Sequence, residues 1–281
     1  MRRKNIADTG EEHYISYSGR LVAFERHDTG WKACQADNME TQLPFTILPQ
    51  PTETTCGPTC LHAIYGYYKD KLSIDKVIRE TRSLKEGGTL AVFLGCHALQ
   101  RGYHAILFTY NLQMFDPTWF ETPGIDIRTR LERQAKYRTD PKVQLATEGY
   151  LEFIDRGGSL RLKDLNPALI RKYLNRGVPI LAGLSATYLH RSAREQGHDC
   201  EYDDVRGSPT GHFVVLYGYN RPAKSVLVAE PLHPNPVAVS QYYSIRIDRV
   251  ICSILLGVLT YDANLLIIEN SEGENGKSDS R

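Results

Sequence analysis

Cys56 has the surroundings of a nucleophile. It stands six residues after Gln50 in the stretch Leu48-Pro49-Gln50-Pro51-Thr52-Glu53-Thr54-Thr55-Cys56-Gly57-Pro58-Thr59-Cys60-Leu61. The apolar side chains Leu61, Ile64, Tyr65 and Tyr68 then recur at the spacing of one helix face. Pro58 fits the first turn, where its missing N–H costs nothing. The cysteine is therefore expected at a helix N-terminus, where unpaired N–H groups and the positive dipole end favour a thiolate over a thiol. Cys60, one turn further on, reads as a packing residue.

A thiolate that attacks a carbonyl also needs a base, a group that orients the base, and donors for the oxyanion. His212 is the best base. It follows Gly211 and opens the apolar strand Phe213-Val214-Val215-Leu216-Tyr217. Eighteen residues on, the strand Val226-Leu227-Val228-Ala229 ends at Glu230-Pro231. If the two strands form a hairpin, the start of one meets the end of the other, and Glu230 reaches the His212 ring. Asn220 and Asn235 are the substitutes for that third role. The Gln50 carboxamide, with the Cys56 N–H, would make an oxyanion hole. A zinc site on His198, Cys200 and nearby acids lacks paired Cys-x-x-Cys spacing and is set aside. His62, His97 and His104 sit in helix or strand patterns as ordinary residues.

The set Gln50…Cys56-Gly57-Pro58…Gly211-His212-Phe213-Val214-Val215-Leu216…Glu230-Pro231 resembles the C39-like branch of the papain-fold cysteine peptidases, over roughly residues 44–235. The resemblance implies an α+β, papain-like fold, with a helical half that carries Cys56 facing an antiparallel β half that carries His212, and the site in the cleft between them. It also implies Cys56, His212, Glu230 and Gln50 as catalytic residues, no metal or cofactor, and a peptide or protein substrate cut at a peptide or isopeptide bond. Here Glu230 stands where the family usually has an aspartate before proline, and no transporter segments follow, so the chain is expected to be a stand-alone member. Two other outcomes fit the same residues: a transpeptidase, in which an amine resolves the acyl-enzyme, and a catalytically silent peptide-binding domain.

The elements that must position these residues follow from periodicity and punctuation. Tyr14 to Phe24 reads as a strand, or a hairpin broken at Ser18-Gly19. Ser73 caps a second helix, and Thr89 caps a third that runs from Leu90 to Arg101 and stops at Gly102. Asp126 to Arg156 is read as helical, with Arg128 to Arg138 as a solvated face. Asp164 to Arg176 is a helix with Pro167 in its first turn, and Val178 to Leu184 a buried strand. Ala186 to Gly211 is read as a long polar loop, of the length often given to a flap. Val237 to Ile247 and Leu265 to Ile268 complete the strands, with a helical repeat between them. Three segments result: an N-terminal arm over 1–30, the main domain over 31–269, and a polar, disordered tail over 270–281.

Bulk composition narrows the classes. With 34 basic against 33 acidic residues among 281, nothing calls for nucleic acid or an anionic membrane surface. Hydrophobic content of 41% supports a real core. The basic start has no apolar segment behind it, so it is no secretory signal. The longest apolar run, near Ile254 to Leu259, is too short to span a bilayer. The six cysteines are expected as reduced thiols in the cytoplasm. Oligomeric state is left open.

Overall fold

Strands that alternate two apolar sets need a helical layer on each face, and the computed structural model of the chain has that arrangement. It describes residues 13–17, 20–27, 30–34, 40–85, 87–197 and 201–270. The chain divides into two compact units, Met1–Glu40 and Thr41–Arg281.

In the first unit, β1 (His13–Tyr17), β2 (Arg20–His27) and β3 (Gly30–Cys34) form an antiparallel sheet in that order, with Tyr17 opposite Arg20 and His27 opposite Gly30. The expected boundary after residue 30 thus falls at the start of β3, which pairs with β2. Most of the expected tail lies outside the described residues.

The remaining elements are β4 (Glu40–Gln42), α1 (Cys56–Tyr67), α2 (Ile74–Glu80), α3 (Ala91–Gln100), β5 (His104–Thr109), α4 (Thr118–Glu121), α5 (Ile127–Ala135), α6 (Pro141–Asp155), β6 (Ser159–Arg161), α7 (Pro167–Leu174) and β7 (Ile180–Ser185). They continue with α8 (Ala186–His190), β8 (Glu195–Gln196), β9 (Glu201–Tyr202), β10 (Gly211–Asn220), β11 (Ser225–Ala229), β12 (Tyr242–Arg246), α9 (Ile247–Leu256), a 3-10 turn (Gly257–Thr260) and β13 (Asn264–Glu269). The main sheet runs β12-β11-β10-β7-β13-β5-β6, with β4 also paired to β10. Every neighbour along that row is antiparallel except β5–β6, which is parallel. This is the α+β class expected from the sequence.

Side-chain alternation assigns the two faces. Leu107, Leu181, Phe213, Val215, Leu266 and Ile268 pack with residues of α1, α3 and α6 in one cluster. Their sequence neighbours Phe108, Ala182, Val214, Leu216, Leu265 and Ile267 pack in a second cluster with Ile170 and Leu174 of α7 and Val250 and Ile254 of α9. Helices therefore cover both faces of the sheet, and the cysteine-bearing layer is one of them. A bulge between Leu216 and Gly218 resets the phase, so that Tyr217 joins the first cluster and Tyr219 the second.

Several local expectations are corrected. Thr89 caps nothing: its hydroxyl donates to the Arg82 carbonyl, and α3 starts without a side-chain cap. The stretch from Asp126 to Arg156 is two helices, because Asp140 caps α6 and Pro141 occupies its first position. Residues 237–241 are not strand, since Asn235 Oδ1 accepts from the N–H groups of Val237 and Ala238 and holds a turn. The polar segment from Ala186 to Gly211 contains α8, capped by Ser185, and the β8–β9 ribbon. Ser73 caps α2 as expected, and Asn166 caps α7. Among the described residues no helix is long and apolar enough to cross a membrane.

Tight packing between β7 and the turn before β13 yields a test. A Cβ on Gly183 would lie 2.4 Å from the Asp262 carbonyl oxygen, a backbone atom that cannot swing aside, whereas a Cβ on Gly66 in α1 meets nothing. Gly183→Ala should destabilise by about 1–3 kcal/mol, as overpacking does. Gly66→Ala should stabilise by up to ~1 kcal/mol through helix propensity. Urea unfolding of both variants measures the contrast, and equal midpoints would contradict it.

Candidate active site

The first turn of α1 holds Cys56, buried at 8% exposure. Thr55, at the cap position, spends its hydroxyl on the Thr52 carbonyl at 2.9 Å, so no side chain caps the helix. Its N-terminal N–H groups keep their affinity for negative charge. Gly57 lets this end of α1 approach β10: a Cβ there would meet Phe213 at 3.1 Å and Thr89 at 2.6 Å. Cys60 Sγ donates to the Phe213 carbonyl at 3.3 Å. Burial pushes the Cys60 thiol well up, as fits the packing role read from sequence.

His212 begins β10 opposite Leu184 of β7. The hairpin expected from sequence is present, with Val215 opposite Ala229. It brings His212 Nε2 to 2.5 Å from Glu230 Oε1. The Cys56 side chain lies close enough to act on the same ring. With Nε2 committed to the carboxylate, Nδ1 is the nitrogen left for the sulfur. Burial disfavours the imidazolium, but the charges of Glu230 and Cys56 outweigh it and raise the His212 pKa well above the ordinary histidine value.

Glu230 has no exposed surface. Oε1 also accepts from the Leu232 N–H at 3.2 Å. Oε2 accepts from Tyr243 Oη at 3.0 Å and from His190 Nε2 at 3.2 Å. Burial would raise this carboxyl, yet His212 and His190 hold it far below the usual carboxylate range. The backbone is pinned too, since Glu230 N donates to the Gln241 carbonyl at 2.8 Å and Gln241 Nε2 donates to the Glu230 carbonyl at 2.9 Å.

Gln50 lies beside this group: its N–H donates to the Pro231 carbonyl at 2.8 Å. Its side-chain Nε2 donates to the Thr52 carbonyl at 3.0 Å, while Oε1 is buried with no hydrogen-bond partner among the described residues. Asn220 and Asn235 stay in their turns, capping Ala223 N and holding residues 237–240. His198 and Cys200 lie outside the described residues.

His190 is the contact that sequence reading missed. It ends the five-residue α8, which is too short for a periodicity signal. Ser185, whose side chain accepts from Tyr188 N, was the available cue. His190, His212 and Glu230 are also a donor set able to take a metal, with ligand atoms within 4.8 Å of one another. Both Nε2 atoms already bond the carboxylate.

Behind His212, Asp262 presses on Gly211, where a Cβ would lie 1.7 Å from Asp262 Oδ2. A side chain ahead of His212 would have to displace the Asp262 carboxylate and the Thr260 hydroxyl. Burial pushes the Asp262 carboxyl up to about 7, against the opposing pull of Thr260, Lys142 and His212.

No family model and no curated protein matches the chain. Among solved structures it is similar to a double glycine motif protease from an AMS/PCAT transporter, crystallised with the leader peptide, at 13% identity and TM-score 0.39 over 82% of this chain and 95% of that one. It is similar to the peptidase domain of Streptococcus ComA, a bifunctional ABC transporter, at 12% identity and TM-score 0.38 over 80% and 98%. It is similar also to xylellain, a cysteine protease from Xylella fastidiosa, at 12% identity and TM-score 0.40 over 82% and 85%.

Asp262 supplies a pH test. Its folded pKa of about 7 exceeds the unfolded value of about 3.9. The folded state thus binds the extra proton, and stability is fully present below about pH 4 and declines as pH rises through 7. About three pKa units correspond to roughly 4 kcal/mol at most. Asp262→Asn should flatten that decline between about pH 4 and 8 in urea titrations, and an unchanged slope would show that another group causes it.

Proposed function

We propose that the chain is a C39-like cysteine peptidase with a papain-like arrangement, acting on a peptide or isopeptide bond. The observation that carries this reading is the buried ion-pair geometry of Glu230 and His212, with Cys56, at an uncapped helix N-terminus, near enough to act on the same ring.

On this reading the raised pKa of His212 keeps the imidazole protonated beside the sulfur, and the resting site is a thiolate–imidazolium pair. Cys56 Sγ attacks the substrate carbonyl carbon, and the π electrons move onto oxygen. The oxyanion is stabilised by the Cys56 N–H and by the Gln50 carboxamide, whose second N–H is not used by Thr52. As the C–N bond breaks, His212 gives its proton to the leaving amine, leaving a thioester. Neutral His212 then takes a proton from water, hydroxide adds to the thioester, and the acid leaves with the thiolate restored. Glu230 stays ionised throughout and fixes the ring and its tautomer.

Alkylation tests the nucleophile. Burial holds Cys96 at about 12 and Cys60 well above the ordinary thiol value, so neither should react with iodoacetamide at neutral pH. Cys252 is exposed and should react at a simple thiol's rate. Cys56 should be labelled first, as read by peptide mass spectrometry over time. Cys252 outpacing Cys56 would sink the assignment.

Two variants test the rest of the machinery. Cys56→Ala should fold and lose all hydrolysis of a quenched fluorescent peptide library. Gln50→Ala should lower kcat about 10²–10³-fold, as loss of one oxyanion donor does, with KM little changed. A raised KM at constant kcat would instead make Gln50 a substrate-binding residue.

A further inference from the structure

We infer that His190 is a positioning residue for the base, so that His212 is set by a His190–Glu230–His212 array and not by a lone carboxylate. The inference rests on the peptidase reading and deepens it.

A carboxylate on a glutamate turns easily, because its terminal torsion is broad and roughly two-fold. One hydrogen bond to His212 would not fix the plane of that group. Here each oxygen has two donors, His212 and the Leu232 N–H on Oε1, His190 and Tyr243 on Oε2. They come from β10, the turn after β11, α8 and β12, so the carboxylate is held from four directions. His190 is 8% exposed, and Leu189 beside it is buried in the second core cluster. Ser185 caps the start of α8, and Arg191 leaves it in the left-handed region with φ 52°. The ring is therefore presented by a rigid turn. The charged and titratable groups around it are Glu230 and His212, Tyr243 of β12, and Arg249 of α9, which acts on Tyr243. The extra methylene of glutamate has a role in this setting, since it carries the carboxylate to where two imidazoles meet it from opposite oxygens.

As the acceptor is a carboxylate, His190 donates from Nε2, and the bond is charge-assisted. Losing that donor frees Oε2 on one side and loosens the plane that Oε1 offers to His212. The imidazolium is then less well stabilised, and the alkaline limb of kcat/KM, which reports its deprotonation, moves to lower pH.

The test compares His190→Phe, which keeps a ring and removes the donor, with His190→Gln, which keeps a donor. Wild type and both variants are assayed on one peptide substrate across pH, with thermal melts to confirm folding. His190→Phe should lower kcat roughly 10–100-fold, consistent with a lost positioning contact, leave KM within about threefold, and shift the alkaline limb down. His190→Gln should recover most of kcat and return the limb. If His190→Phe does not fold, His190→Ala with and without added imidazole replaces it, and imidazole should restore the limb. An unmoved limb with kcat unchanged, or a loss that Gln fails to rescue, overturns the inference. So does a variant altered only in its response to added Zn²⁺, which would make His190 part of a metal site. Absence of hydrolysis and of Cys56 labelling in wild type would instead strike the peptidase reading itself.

Discussion

The buried charge of Glu230 is the constraint on which the site depends. Removing a carboxylate from water costs several kcal/mol even after relaxation, and this one has no exposed surface. Such a group persists only if its lone pairs are filled and a cation lies close. Donors on β10, α8 and β12 and in the turn after β11 must therefore converge on one point. The cation is the His212 imidazolium, which the carboxylate itself stabilises. Each ionised state supports the other, so one partner's loss leaves an uncompensated buried charge.

The sheet makes that convergence possible by alternation. Val214 and Val228 face the α7–α9 layer, and two-residue periodicity puts His212 and Glu230 on the same side. Phe213 and Ala229, one residue along, face the layer that contains Cys56. Cys56 thus comes from one layer and Glu230 from the other, and they meet around His212 at the end of β10. A strand end is where a ring can be reached from both layers at once. The close approach needs Gly57, and the thiol of Cys60 ties the same helix to the Phe213 carbonyl.

Much of this was legible in the sequence because it rests on short-range signals. The helix start at Cys56 follows from Pro58 and the apolar spacing after it. The His212–Glu230 contact follows from two apolar strands joined by a turn, since hairpin register fixes which ends meet. What the sequence withheld depends on long-range packing. The cap Ser185 is the one local mark of α8, and it says nothing of the route of His190 to Glu230. Thr89 has a capping residue's chemistry, but its hydroxyl is taken by Arg82, distant in sequence. Gln50 was legible as a neighbour of the cysteine, but its backbone tie to Pro231 was not. The parallel β5–β6 pair joins segments separated by three helices, which no periodicity reports.

The contact between Gly211 and Asp262 also bears on how this sequence can drift. A side chain at 211 meets the carboxylate at 262 and the Thr260 hydroxyl, so substitution there has to displace both. Replacement of Asp262 by a smaller residue would remove the tighter of the two contacts. What position 211 can hold is therefore coupled to a residue that is fifty-one positions away.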